Sequence, residues 1–372
     1  MIEMKRIFAL IISSLLYFFP VDAQRLVDAT DQSPISAASI FNAAGNLVSL
    51  TWSDGDFSDV PESVYPITIC CIGYESLVLE RLEDKVWEMT PKVYELDEVV
   101  VVPVKRNILK QTFYAREYFS INTQKDTITF FLEHMVDRFV PTSKDAKFGG
   151  NFSLRKLNSR CYSRYKILEK DSFAITSESS SSSVLSILEL NNESIKAPES
   201  FKDQENRNKL YEKSGKSGMF LIQKQNAYTF TMIKDPLAEK KEHTVSPLIF
   251  KLLGFTMDFK QLYITQVYRT NDTGVYQPKD LIEAAFVMEA DGRGKNFRKL
   301  FASDKPIAFR SMIELFLVDS DFYSKEEAKE EYKNKPTNVE FVIPSTIPPL
   351  NEATLQLIER AKAEAKVENM EK

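Results

Sequence analysis

The segment from residue 24 to residue 103 is divided into short apolar runs by clusters of turn-forming residues. The runs recur about every ten residues, a spacing typical of sandwich proteins, and no stretch keeps a helical period for three turns. Asn42–Asn46 and Ser53–Asp56 supply the Asn, Gly, Ser and Asp residues that tight turns require. We therefore predict a β-sandwich with strands at Ala38–Phe41, Leu47–Trp52, Tyr65–Ile72, Ser76–Leu82 and Val99–Val104.

Several short motifs in this segment follow a known order. They are Val27-Asp28-Ala29, Ser33-Pro34-Ile35 with Ala38-Ser39-Ile40, Thr51 to Phe57, Cys71 to Glu75, and Leu96 to Val101. On these motifs, residues 24–102 resemble the carboxypeptidase-regulatory-like (transthyretin-like) domains. The resemblance implies an Ig-like/transthyretin-like β-sandwich of the kind that forms the N-terminal domain of many Gram-negative outer-membrane receptors and envelope proteins. Asp54-Gly55 favours a tight turn with positive φ, after which Phe57 enters the core.

The same resemblance implies no peptidase activity, because the zinc domain of metallocarboxypeptidases is a separate unit. The His-x-x-Glu pair of that domain is missing here, because the third residue after His134 is Asp137 and the third residue after His243 is Ser246. The whole chain has two histidines and three cysteines, which leaves few ligands for a transition metal. We expect no metal, no cofactor and no catalysis.

Residues 104–372 are predicted to form a second, larger domain. Its alternating stretches are typical of strands in a large antiparallel sheet: Thr127–Leu132, Ala227–Met232, Gln261–Tyr268, Ala284–Glu289 and Ile307–Leu317. The serine-rich segment Thr176–Ser183 and the charged segment Pro198–Lys216 predict long loops.

Two helices are predicted near the C-terminus. Ser324–Glu327 forms a capping-box pattern ahead of one, and Asn351–Val367 carries Leu355, Ile358 and Ala361 at helical spacing. The pattern resembles the curved-sheet, half-barrel domains of periplasmic proteins that handle lipids or lipoproteins. The predicted fold class is mainly β: an N-terminal sandwich, then a larger β-rich α+β domain with a large antiparallel sheet and C-terminal helices.

The N-terminus has the form of an export signal. Lys5 and Arg6 precede an apolar run of about 13 residues, Ile7–Phe19, which is shorter than the ~17–25 residues of a membrane-spanning helix. Val21-Asp22-Ala23 then places small or β-branched residues at the positions that a signal peptidase recognises. We therefore predict a signal peptide over residues 1–23, with cleavage after Ala23. The mature protein is expected in the periplasm or at the periplasmic face of the outer membrane.

Export makes the three cysteines relevant. Cys70 and Cys71 are neighbours on a predicted strand and face opposite sides of it, so only one of them could reach Cys161. Buried thiols without a disulfide are the alternative, because free cysteine is often a core residue.

Charge differs between the two predicted domains. Residues 24–103 hold 14 acidic and 4 basic side chains, whereas residues 104–372 hold 37 acidic and 42 basic ones. Opposite net charges favour docking of one domain on the other, and two independently solvated surfaces are the alternative. The positive charge of the larger domain is too dilute to indicate a nucleic-acid partner.

Three polar patterns could indicate chemistry, and each has a structural explanation. Glu133, His134 and Asp137 are close in sequence, but adjacent strand residues face opposite sides, so a metal or acid–base site is not favoured. Ser214–Ser217 lacks the glycines of a phosphate loop or a nucleophile elbow. Asp54, Asp56 and Asp59 resemble the start of a calcium loop, but the twelfth position is Tyr65 rather than Glu, which excludes an EF-hand. A hairpin turn is favoured, and a weak calcium site is the alternative.

The best candidate binding cluster is basic and comprises Arg293, Lys295, Arg298 and Lys299. It could receive an anionic lipid headgroup or a polysaccharide, and a solvated hairpin tip is the alternative.

These observations predict a non-catalytic, exported envelope protein whose sandwich acts as a protein-interaction or assembly module, with an envelope or outer-membrane protein as partner. The alternative is a periplasmic carrier that holds a lipid or glycan in the second domain. A hydrolase with an unfamiliar acid pair is a third hypothesis, and no motif supports it.

Overall fold

The fold is described from a computed structural model of the 372-residue chain. It describes residues 24–92 apart from 53 and 84, then 106–123, 127–143, 154–167, 170–176, 190, 195–196, 211–212, 219–223, 229–234, 256–269, 271, 273–295, 298–299, 305–336 and 339–370. The predicted signal peptide, the strand at 99–104 and the segment at 214–217 lie outside these residues.

The N-terminal unit, residues 24–92, contains two small sheets. A four-stranded antiparallel sheet has the order β3-β2-β4-β5, and β1 pairs in parallel with β6. The strands are Arg25–Asp28 (β1), Ser39–Asn42 (β2), Leu47–Leu50 (β3), Ile67–Cys70 (β4), Leu77–Leu79 (β5) and Val86–Met89 (β6), with a short 3-10 helix at Glu62–Val64. The predicted runs thus overlap β2 to β5, whereas the sequence pattern does not predict β6.

Both small sheets contribute to one apolar core. Leu26 of β1 and Met89 of β6 pack with Ile40 and Ile69 of the four-stranded sheet. Gly55 has φ +80°, and the turn that it completes places Phe57 fully inside this core, as the sequence predicts. The mainly-β character of this unit is therefore confirmed.

A ten-stranded antiparallel sheet forms the larger part of the chain. Its order is β10-β9-β8-β7-β18-β17-β15-β14-β13-β12, and all five predicted strand segments lie in it or overlap it. The strands are Ile108–Asn122 (β7), Thr127–Pro141 (β8), Arg155–Ile167 (β9), Lys170–Thr176 (β10), Tyr211–Glu212 (β12), Met219–Gln223 (β13), Thr229–Lys234 (β14), Thr256–Arg269 (β15), Leu281–Arg293 (β17) and Ile307–Tyr323 (β18). A separate pair joins Ile195–Lys196 (β11) to Val275–Tyr276 (β16), which precedes the 3-10 helix Pro278–Asp280.

Two C-terminal helices follow the sheet, as predicted. Helix α1, Lys325–Lys333, begins at the capping box between Ser324 and Glu327. Helix α2, Glu352–Met370, buries Ile358 and Ala361, but Leu355 is 42% exposed and Leu357 is buried instead. Between the helices, residues 339–351 form a segment without helix or strand that includes one turn at 345–347, and we call it the C-terminal strap.

The N-terminal unit packs on one face of the large sheet. Phe41, Leu47 and Leu50 share an apolar cluster with Tyr118 and Met312 of β7 and β18, and α2 joins the same cluster. At the edge of this contact, Thr129 donates to Asn46 Oδ1 at 2.5 Å. The opposite face of the sheet carries its own large apolar cluster, so the central strands are buried on both faces.

One buried ion pair crosses the contact. Lys92 of the acidic N-terminal unit lies 3.3 Å from Glu283 of the basic large sheet, and both side chains are buried. In this pair the net acidic unit contributes the cation and the net basic sheet contributes the anion, which is the reverse of what their net charges suggest. Among the described residues, the contact includes apolar packing, the Lys92–Glu283 pair and the Thr129–Asn46 hydrogen bond.

All three cysteines lie within the described residues, and no disulfide joins them. Burial raises the pKa of the Cys161 thiol to about 11 and that of Cys70 to about 12. Within the same residues, no helix combines the length and the apolar character that crossing a bilayer requires.

Candidate functional site: a cavity between the N-terminal unit and the large sheet

A cavity of about 440 Å³ lies where the N-terminal unit, the large sheet and the C-terminal strap meet. We call it the junction cavity. Three parts of the chain line it: Phe41, Thr68, Cys70, Cys71, Tyr74, Glu75, Ser76 and Val78 from the N-terminal unit; Arg116, Tyr118, Met312 and Glu314 from the sheet; and Pro348, Pro349, Leu350, Asn351 and Glu352 from the strap and α2. Neither the N-terminal unit nor the sheet alone encloses it.

Two oppositely charged residues meet on the sheet side of the cavity. Arg116 of β7 and Glu314 of β18 are direct cross-strand partners, and both side chains are almost fully buried. Their position follows from strand alternation, which points Arg116 and Tyr118 of β7 toward the same face as Met312 and Glu314 of β18.

The Arg116 guanidinium is only partly satisfied. Its Nη1 donates to the Pro348 carbonyl of the strap at 2.8 Å, which ties the strap to the sheet. Its Nε is buried without a hydrogen-bond partner. A buried donor without an acceptor costs about 1–3 kcal/mol.

The Glu314 carboxyl forms no hydrogen bond or ion pair within the described part of the chain. Burial raises its pKa to about 7, against the opposing effect of Arg116, and the Glu283 carboxylate raises it further. The nearby Lys92 ammonium lowers the pKa but is held by Glu283 at 3.3 Å. Near neutral pH, Glu314 therefore exists in both the neutral and the charged form.

The remaining walls of the cavity are mostly apolar or chemically inert. Phe41 and Tyr118 pack edge to face with ring centroids 5.1 Å apart. Burial raises the Tyr118 pKa well above its ordinary value and makes Cys70 a thiol with a pKa of about 12, so neither is a nucleophile at neutral pH. The lining residues Glu75, Ser76, Val78 and Glu352 are exposed, so we place the mouth of the cavity there.

The basic cluster predicted from the sequence lies elsewhere. Arg293, at the end of β17, forms an ion pair with Asp258 of β15. Lys295, Arg298 and Lys299 do not line the junction cavity. Their role as a binding site for an anionic headgroup or polysaccharide stays a prediction.

The residues Glu133, His134 and Asp137 are dispersed, as the strand geometry predicts. Glu133 accepts from the Tyr114 hydroxyl at 2.8 Å on one face, while His134 Nδ1 lies 2.8 Å from Ser159 Oγ on the other. Asp137 is bound by Arg155. Among the described residues, no three His, Cys, Asp or Glu side chains are grouped to hold a metal ion.

His134 also lies 3.4 Å from Glu117, which produces a Ser159–His134–Glu117 array. Both His134 and Glu117 are completely buried. A carboxylate, an imidazole and a hydroxyl in contact also occur in hydrolases. Here the imidazole is completely buried within the sheet, and His134 Nε2 has no hydrogen-bond partner, so the three groups are not joined as in a hydrolase triad.

The junction cavity could not be found by sequence reasoning, because Arg116 and Glu314 are far apart in the chain. Each nevertheless leaves a signal, since both are charged residues inside predominantly apolar strands, in Tyr114-Ala115-Arg116 and Ile313-Glu314-Leu315. A charge at a core-facing position needs a partner or a function.

Comparison with known proteins gives weak likenesses only. No protein-family model matches the chain, and no curated protein matches it in sequence. A lipovitellin structure, titled for its lipid–protein interactions, covers 67% of this chain at 7% identity with a TM-score of 0.25, and this chain spans 28% of it. A DUF1329 family protein from Desulfovibrio piger covers 57% of this chain at 11% identity with a TM-score of 0.14, and 86% of its own chain is covered. Both scores are too low to inform fold or function.

Proposed function

We propose that this protein is a non-catalytic binding protein of the cell envelope that holds a small amphiphilic lipid in the junction cavity. The observation that carries the proposal is the cavity itself, about 440 Å³ in volume. Its lining combines apolar side chains with the polar residues Thr68, Glu75, Ser76, Arg116, Glu314, Asn351 and Glu352. Ligand pockets of proteins typically measure ~300–1,000 Å³ and combine apolar walls with a few orienting polar groups. Export and an envelope location are predictions from the sequence.

The wall chemistry favours a lipid over a glycan. Phe41, Met312 and Leu350 present apolar surface, and among the described lining residues Arg116 Nε is the buried polar atom that has no hydrogen bond. A sugar carries hydroxyl groups on every side and would need donors and acceptors around the whole wall. Both tryptophans, which could stack on a sugar ring, lie away from the cavity lining.

Binding is also favoured over catalysis. Glu314 has a raised pKa, but the other lining carboxylates, Glu75 and Glu352, are exposed, and Glu283 is held by Lys92. The Cys70 thiol has a pKa of about 12 and is a poor nucleophile. A general acid–base pair or an activated nucleophile is therefore not assembled among the described lining residues.

A protein-interaction role is the second candidate, and one observation favours it. Strand β5 is an edge of the four-stranded sheet, and its Val78 is 57% exposed. An open edge can pair with a strand of another protein, such as an outer-membrane partner. Against this role, much of the N-terminal unit already packs on the large sheet.

The experiment is analysis of small molecules and proteins that co-purify with the protein from its own cells. Val78→Trp places a large ring at the mouth of the cavity, and Val86→Trp is the matched control, because Val86 is an exposed strand valine outside the lining. We expect a lipid with wild type and with Val86→Trp, and several-fold less with Val78→Trp. Equal lipid in all three proteins, or a protein partner without lipid, would contradict the proposal.

A further inference from the structure

We propose that the ligand of the junction cavity is an amphiphilic monocarboxylate whose head group binds between Arg116 and Glu314; this assignment rests on the proposed function. The two residues are cross-strand neighbours on the sheet side of the cavity. The apolar tail then extends past Phe41 and Leu350 toward the mouth at Val78.

Arg116 offers the ligand an unsatisfied donor. Its Nε is buried, has no hydrogen-bond partner, and belongs to a residue that lines the cavity. Nη1 of the same side chain is fixed by the Pro348 carbonyl at 2.8 Å, so the guanidinium is held in place before any ligand binds. A fixed guanidinium edge is the group that proteins use to bind carboxylate oxygens.

Glu314 offers the ligand an unpartnered acid. It forms no hydrogen bond or ion pair with the described residues, and its neutral form carries one donor proton. One ligand oxygen can accept from Arg116 Nε while the other accepts the Glu314 proton. The two carboxyl groups then share a proton, as paired carboxyls in proteins do.

The charge balance of the site selects among head groups. Lys92 and Glu283 neutralise each other, and Glu133, the cross-strand partner of Arg116 on β8, is paired with Arg160 at 3.9 Å. Neutral Glu314 then leaves the positive charge of Arg116 to be matched. A monoanion matches it, whereas a phosphate dianion adds a negative charge beside Glu283. An alkylammonium would leave Arg116 Nε without an acceptor. Glu75 and Glu352 at the mouth are exposed, so solvent screens them.

The test is calorimetric titration of the whole protein, near pH 6, with three probes that share one chain: dodecanoate, dodecanol and dodecyltrimethylammonium. We expect dodecanoate to bind at least about ten-fold more tightly than the other two. Arg116→Gln should remove this preference, and Glu314→Gln should keep most of it, because the amide still donates.

The outcomes separate this inference from the function that it deepens. If another probe binds as tightly as dodecanoate, and Val78→Trp weakens binding, the head-group assignment is wrong while the cavity remains a lipid site. If no probe binds, or if Val78→Trp changes nothing, the proposed function fails as well. Because the probe series needs only the wild-type protein, an Arg116 variant that does not fold leaves the test intact.

Discussion

Arg116 and Glu314 face each other across β7 and β18, yet they do not form an ion pair. The guanidinium donates instead to the Pro348 carbonyl of the strap, and the Glu314 carboxyl is almost fully buried. Two buried charged groups that do not pair with each other lower the stability of the fold unless a third group binds to both. We infer that this third group is the head group of a ligand.

Glu314→Gln is expected to remove a pH dependence from the stability of the protein. The Glu314 pKa is about 7 in the folded state against an ordinary value of 4.5, so the folded state binds the proton more tightly. The free energy of unfolding should therefore fall as pH rises through this window, by roughly 3 kcal/mol. Denaturant unfolding at several pH values measures the effect, and a wild-type minus variant difference that is constant with pH would contradict it.

Lys92→Met is expected to weaken the contact between the N-terminal unit and the large sheet. The substitution leaves the buried Glu283 carboxylate without its cation, at a cost of about 3–5 kcal/mol. The double variant Lys92→Met with Glu283→Gln should recover much of this loss, since no charge is then stranded. Thermal unfolding of the two single variants and the double variant gives the coupling. Strictly additive losses would show that the pair does not act as a unit.

Gly55→Ala is expected to be severely destabilising, by more than about 3 kcal/mol. Gly55 has φ +80°, and an added Cβ would lie 2.3 Å from the Leu26 carbonyl oxygen, which is backbone and cannot move away cheaply. Gly274→Ala is the matched control, because Gly274 has φ +63° with nothing within 4 Å of a Cβ. It should cost only about 1–2 kcal/mol. Similar unfolding midpoints for the two variants would refute the steric argument.

Asp137→Asn is expected to destabilise the protein by about 3 kcal/mol. The buried Asp137 carboxylate accepts a hydrogen bond from Arg155 Nε at 2.7 Å, and Arg155 also donates to the Tyr332 carbonyl of α1. Asp171→Asn tests the same kind of pair at an exposed position, where Arg164 lies 2.9 Å from Asp171. That control should cost less than about 1 kcal/mol. Urea unfolding compares the two, and equal losses would contradict a structural role specific to Asp137.

Local features of the fold could be predicted from the sequence. The capping box at Ser324 and Glu327 involves residues three positions apart, so it is visible in the sequence and starts α1 as expected. The turn at Gly55 is equally local. Strand β6, Val86–Met89, has one buried residue and acidic and basic neighbours, so it gives no periodic signal.

Features that depend on register could not be predicted. The sequence predicts helix α2, but whether Leu355 or Leu357 is buried depends on how the helix rests on β9 and β10. The Arg116–Glu314 pair requires β18 to align with β7 across most of the chain. A one-residue shift of either strand would turn its charge to the other face, and no local pattern records that alignment.

The most direct test of the central claim is a crystal structure of the whole protein grown with dodecanoate. We expect an elongated ligand in the junction cavity, with one carboxylate oxygen within hydrogen-bond distance of Arg116 Nε and the other facing Glu314. Dodecanoate bound elsewhere on the protein, or a junction cavity that holds only water at saturating dodecanoate, would contradict the claim.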